Sequence, residues 1–122
     1  MSVSTTIHLK RAYDPADAND GLRILVERLW PRGVRKEDLA LDHWAKQIAP
    51  SPDLRTWYGH VPDRWAEFSE RYRSELAANS SEVADLARRI DGRVVSFLFA
   101  ARDVEYNSAV VLKAFMQERL GV

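Results

Sequence analysis

The sequence predicts a single α/β domain, built on a small, mostly parallel three-stranded sheet covered by several helices. Three observations carry that expectation. Two apolar runs, Leu22–Trp30 and Arg93–Ala101, are nearly unbroken and bounded by turn or breaker residues, the pattern of parallel strands buried on both faces. Thr5–Arg11 alternates instead, with Ile7 and Leu9 on one side and His8 and Lys10 on the other, as in a half-buried strand at or near a sheet edge. The long interval between the two apolar runs carries helical spacing and helix punctuation.

Taken in order, Tyr13–Gly21 reads as a loop, with Asp14-Pro15 and Asp20-Gly21 as its turns. The central strand follows and stops at Pro31-Arg32-Gly33. Two short helical pieces come next, Lys36–Leu41 and Asp42–Ile48, the second with Asp42 as N-cap and Trp44 and Ile48 at i, i+4. Ser51-Pro52 is an N-cap with proline at the first helical position, opening a short helix to Tyr58 that Gly59 ends. From Pro62 to about Ala78 the longest helix carries the apolar stripe Trp65, Phe68, Tyr72 and Leu76, with Glu67–Arg71 and Arg71–Glu75 as solvated i, i+4 pairs. Asn79–Glu82 reads as a capping box for a helix that buries Val83, Leu86, Ala87 and Ile90 and closes at Asp91-Gly92. After the strand Arg93–Ala101, Asp103 is expected to cap a final helix to about Leu120, with Leu112, Phe115 and Met116 inward.

Composition narrows the function. The 122 residues suffice for one domain, and a chain of this length buries roughly 65–70% of its unfolded surface. Cysteine is absent, which removes disulfides and thiolate chemistry and fits a reducing compartment. No apolar run approaches the roughly 18 residues of a membrane span, and Met1–Thr6 lacks the basic and apolar regions of a secretory leader. A cytoplasmic protein is expected. Acidic and basic residues balance at 18 each, so net charge supplies no attraction to nucleic acid or membranes. No metal or cofactor is expected: His8, His43 and His60 lack ligand spacing, and a metal would need Glu27 and Asp103 to join His60.

What draws attention is charge at the ends of the two apolar strands. Glu27 and Arg28 interrupt the first, just before Trp30 and Arg32; Arg102 and Asp103 follow the second, with Asn107 one helical turn on. Ligands of open α/β sheets bind beyond the carboxyl ends of strands, and the first turn of a following helix offers free N–H groups and a positive dipole end. Arg28, Trp30, Arg32, Arg102 and Asn107 are therefore candidates to hold a small anionic ligand, bearing phosphate or carboxylate. Glu27 or Asp103 would position the arginines or act as general base, and His60 is the best-placed acid–base group near neutral pH. Whether such a site turns its ligand over is left open. The structural alternative pairs Arg28 with Asp103 and Glu27 with another arginine as buried ion pairs. A different class, an interaction module for protein or nucleic acid, would use Trp30 and Trp44 interleaved with Arg28, Arg32, Arg35, Lys36 and Lys46; the balanced charge and the lack of a known motif argue against the nucleic-acid version.

Three blocks carry a resemblance: G-L-R-I-L-V-E-R-L-W-P-R-G, A-P-S-P-D-L-R-T-W-Y-G-H-V-P-D-R-W-A-E-F and F-A-A-R-D-V-E-Y-N-S-A-V-V-L. Together they resemble the domain-of-unknown-function 488 (DUF488) family, in its small single-domain, YeaO-like branch, over nearly the whole chain. The resemblance implies a compact bacterial-type α/β fold and supplies no mechanism. It also implies Asp where Glu27 stands, and often histidines at the positions of Tyr106 and Ser108, which weakens histidine-based catalysis there.

Overall fold

A computed structural model describes residues 4–122; residues 1–3, used above only in seeking a leader pattern, lie outside it. Four parallel strands form one sheet in the order β1-β4-β2-β3: β1 is Thr6–Arg11, β2 Leu22–Leu25, β3 His43–Trp44 and β4 Val94–Phe99. Five α-helices accompany them: α1 Lys36–Leu39, α2 Pro52–Tyr58, α3 Trp65–Ala78, α4 Ser80–Ile90 and α5 Ser108–Leu120. Among the described residues no helix is both long and apolar enough to cross a membrane.

The sheet has one strand more than expected. Asp42–Ile48, read as a helix, contributes β3 and a 3-10 turn at Lys46–Ile48. The Asp42 carboxylate does not cap a helix; it accepts the Arg23 N–H at 2.8 Å. The Asp42 and Ala45 N–H groups donate to Arg23 and Leu25 carbonyls at 2.9 and 2.8 Å, so the segment completes the β2 edge. Two residues are too few to show a period of two. The central strand also ends earlier, at Leu25. Val26 still donates to the Leu98 carbonyl at 3.2 Å, and then the chain leaves the sheet at Glu27.

Alternation sorts the strands into two unequal faces. On one, Ile7, Ile24, Val95, Phe97 and Phe99 join the stripes of α2–α5, including Leu54, Phe68, Tyr72, Leu76, Leu86, Ile90, Leu112 and Met116, in one large core. On the other, only Ala12, Leu25, Leu39 and Leu98 form a small core, covered by Trp30, Val34, Leu41 and Trp44. The same thin face holds a buried charge cluster. Asp20 receives Lys10 Nζ at 3.0 Å and Arg23 Nη1 at 2.5 Å. Arg23 Nε donates to the Leu39 carbonyl at 2.9 Å, and Ser96 Oγ donates to the Asp20 carbonyl at 2.8 Å.

Helix ends follow the sequence at α2 but not at α4 or α5, and one expected surface pair is replaced. Ser51 caps α2 as expected, accepting the Leu54 N–H at 3.2 Å. At the start of α4, however, Asn79 makes no cap; its Nδ2 donates to the Gln47 carbonyl at 3.0 Å. Glu75 does not pair with Arg71 but accepts the Ser51 N–H and Oγ–H at 2.8 and 2.6 Å. The cap of α5 is Asn107, accepting Val110 N–H at 3.2 Å. Asp103 instead closes the turn before it, taking the Glu105 and Tyr106 N–H groups at 2.9 and 3.0 Å.

Candidate functional site

Beyond the carboxyl ends of β2 and β4 the surface opens into a pocket of about 490 Å³. Five segments build it. Glu27 comes from the exit of β2, and Ala100 and Ala101 from the exit of β4. Pro50, Pro52, Arg55, Thr56, Tyr58 and His60 come from α2 and its flanks, backed by Phe68 of α3. The first turn of α5 closes the ring with Asn107 and Ser108.

Glu27 is the group at which both central strands meet. Its Oε1 accepts the Ala100 N–H at 3.0 Å, and its own carbonyl accepts Trp44 Nε1–H at 2.7 Å. Among the described residues nothing donates to Oε2. Burial pushes the Glu27 carboxyl up from its ordinary value, only partly opposed by the Ala100 N–H and by the nearby Arg55 and His60 charges. Arg55 lines the same cavity, yet among the described residues it forms no ion pair and its guanidinium makes no hydrogen bond. An acid and a base thus face one space without meeting.

Aromatic rings form one wall. Tyr58 stacks on Phe68 with ring centroids 4.4 Å apart, and its hydroxyl donates to the Tyr106 carbonyl at 3.2 Å. His60 stands 5.6 Å from the Tyr58 ring and holds a left-handed backbone, φ 56°. A non-glycine residue in that conformation costs on the order of 1–2 kcal/mol, so the fold places an imidazole here against its local preference. Asn107 is 3% exposed and bound to the backbone at both ends of its amide: besides capping α5, its Nδ2 donates to the Asp103 carbonyl at 2.8 Å.

Of the residues singled out in the sequence, Glu27, His60 and Asn107 line this pocket; Arg28, Trp30, Arg32, Arg102 and Asp103 do not. Arg28 turns to the backbone, donating to the Pro50 and Ala49 carbonyls at 3.3 and 3.2 Å, rather than to Asp103. Trp30 packs edge-on against Trp44 at 5.6 Å and donates its N–H to the Val34 carbonyl at 2.7 Å. Arg32 and Arg102 are exposed. Asp103 is held below the usual carboxylate range by the Tyr106 and Glu105 N–H groups, the state of a turn-closing anion. Among the described residues, no group of three or more potential ligands is gathered for a metal.

The family model described as "Inactive DUF488-N3 subclade" matches residues 6–122. The chain belongs to this subclade. Its DUF488 relatives include the uncharacterised protein YeaO of Escherichia coli (strain K12), 45% identical over 115 residues, 91% of this chain and 96% of YeaO. The uncharacterised protein Rv3073c of Mycobacterium tuberculosis (strain H37Rv) is 42% identical over 120 residues, 98% of this chain and all of the relative. No solved structure gives a significant match. In this DUF488 chain, sequence reasoning overlooked Arg55, Thr56, Tyr58 and Ser108. The signal for two of them was present: once Pro52 opens α2, Arg55 and Thr56 fall at i+3 and i+4 on its face.

Proposed function

We propose that this pocket binds a small ligand bearing a carboxylate or phosphate and does not turn it over. The observation that carries the reading is that Arg55 and the first turn of α5 line one cavity at the carboxyl ends of β2 and β4. A helix amino end presents N–H groups and partial positive charge. A guanidinium adds charge-assisted hydrogen bonds worth about 1.5–3 kcal/mol each. The anion is therefore assigned to Arg55 rather than to Arg28, which is committed to carbonyl groups, or to Arg32 and Arg102, which stand outside the lining.

Binding without reaction is favoured by the family description, whose first word is "Inactive". It is also favoured by the site itself, where no hydrogen bond among the described residues links His60 to Glu27, Thr56 or Ser108. On this reading the protein acts in the cytoplasm on a small molecule, consistent with its missing cysteine and balanced charge. Interaction through Trp30 has less support, because that ring is half-buried against Trp44.

Thermal unfolding with inorganic phosphate and simple carboxylates tests the reading. At ten times Kd a bound anion stabilises by about 1.4 kcal/mol, roughly 5 °C for a chain of this size. The rise should be present in Arg32→Ala and absent in Arg55→Ala. Equal shifts in Arg55→Ala and the parent would reject it, as would no saturable shift with any anion.

A further inference from the structure

We infer that the ligand of this pocket is a zwitterion, carrying an amine that docks on Glu27 as well as the acid that docks on Arg55. The inference rests on the anion-binding reading above and adds the chemistry of the ligand's other end. Its basis is an unmatched pair. Glu27 and Arg55 line the same pocket, yet no ion pair joins them among the described residues. Arg55 is solvent-exposed, so pairing with it would bring Glu27 little, and the part-buried carboxylate keeps an open acceptor. The Glu27 acid is held by the backbone instead, with Oε1 accepting the Ala100 N–H at 3.0 Å and, among the described residues, no donor on Oε2.

The Tyr58 and Phe68 rings form part of the pocket's apolar lining. Arg55 and the first turn of α5 favour an anion. Charges of opposite sign in one pocket, with apolar ring surface in its lining, match a molecule with an amine, a short hydrocarbon spacer and an acid. The volume, about 490 Å³, lies within the roughly 300–1,000 Å³ of small-molecule sites. A simple anion leaves the part-buried Glu27 carboxylate without a counter-charge, and a simple amine leaves the exposed Arg55 to solvent alone. Only a ligand carrying both satisfies both.

Calorimetric titration of the full chain with ω-amino acids, from glycine to 6-aminohexanoate, and with the matching acids lacking the amine tests this. At least one amino acid should bind ten times or more tighter than its des-amino partner. Glu27→Gln should erase that preference while leaving the weaker binding of the plain acid, and Arg55→Gln should weaken both. A second readout needs no variant: in the parent protein the Ala100 amide resonance should shift with the amino acid and stay put with the des-amino acid. Plain acids binding as well as their amino partners, or a preference that survives Glu27→Gln, would overturn the zwitterion and leave anion binding intact. Binding of inorganic phosphate without any amino acid would do the same. No binding of amino acids, plain acids or phosphate would overturn both.

Discussion

Replacing Asp20 by Asn should destabilise the fold more than any other isosteric surface-to-core change on the thin face of the sheet. The carboxylate is 10% exposed and its partner Arg23 is 6% exposed. Without it the guanidinium keeps the Leu39 carbonyl at 2.9 Å but loses its counter-charge, and Nη2 already lacks a partner. Lys10, formerly 3.0 Å from both Asp20 oxygens, becomes a second uncompensated cation beside it. Removing one member of a buried pair costs about 3–5 kcal/mol, against a total stability of roughly 5–15 kcal/mol. At roughly 2.1 cal/mol/K per residue, the unfolding entropy of this chain is about 0.26 kcal/mol/K, so Tm should fall by about 12–20 °C. Differential scanning calorimetry at pH 7 measures it. Burial alone would raise the Asp20 carboxyl, but the Asp17 N–H, Lys10 and Arg23 outweigh burial and hold it below its ordinary 3.8. An acid depressed in the folded state stabilises above its unfolded pKa and loses that contribution as pH falls through the folded value. The gap between parent and variant should therefore be full at pH 7 and close below about pH 3.8. Adding Arg23→Met to Asp20→Asn should recover a large part of the loss, since the orphaned charge is then gone. A loss under about 1 kcal/mol at pH 7, or no recovery in the double variant, would refute the assignment of a buried, interdependent pair.

Four further outcomes follow from single positions. Glu27→Gln should be more stable than the parent at neutral pH: burial raises this acid, a raised acid loses stability as pH rises through its unfolded value, and the difference should vanish below about pH 4.5 in urea titrations. Ala40 and His60 hold φ of 49° and 56°. Ala40→Gly should gain about 0.5–1 kcal/mol after the unfolded-state entropy of glycine is counted; His60→Gly should gain less, losing the ring beside Tyr58, and a melting scan showing both destabilised would contradict the strain. Gly21 has φ 66°, and a Cβ there would lie 2.1 Å from the Val94 carbonyl oxygen; Gly21→Ala should cost at least about 2 kcal/mol, and a neutral result would mean the β4 entrance yields easily.

What the sequence made legible is what repeats. The apolar runs at Leu22 and Arg93, the alternation in Thr6–Arg11 and the Phe68–Tyr72–Leu76 stripe each express a period over several residues, and each lies in the element expected of it. Missing from that view was everything decided by one contact. His43–Trp44 joined the sheet because Asp42 and Ala45 found carbonyls on β2, and no pattern announces a two-residue strand. Arg23 escaped notice inside an apolar run, although it is 5% exposed and anchors the thin face. The site was legible as a place and not as a set. Glu27 marked the end of β2 correctly, but proximity in sequence drew in Arg28, whose alternate side-chain direction sends it to the Ala49 and Pro50 carbonyls. Arg55 reaches the pocket from a helix far along the chain, and only the packing of α2 brings it there.

The lopsided dressing of the sheet gives the molecule a weak side. One face is sealed by four helices over a continuous core; the other relies on four buried side chains and the Asp20 ion cluster. Acid should erode that second face first, since its cluster discharges when Asp20 takes up a proton. Amide exchange should then quicken across Trp30–Leu41 while α3 and α5 stay protected, a graded opening of cooperative units. The pocket, seated among helices expected to exchange slowly, would keep its shape through that first stage of loosening.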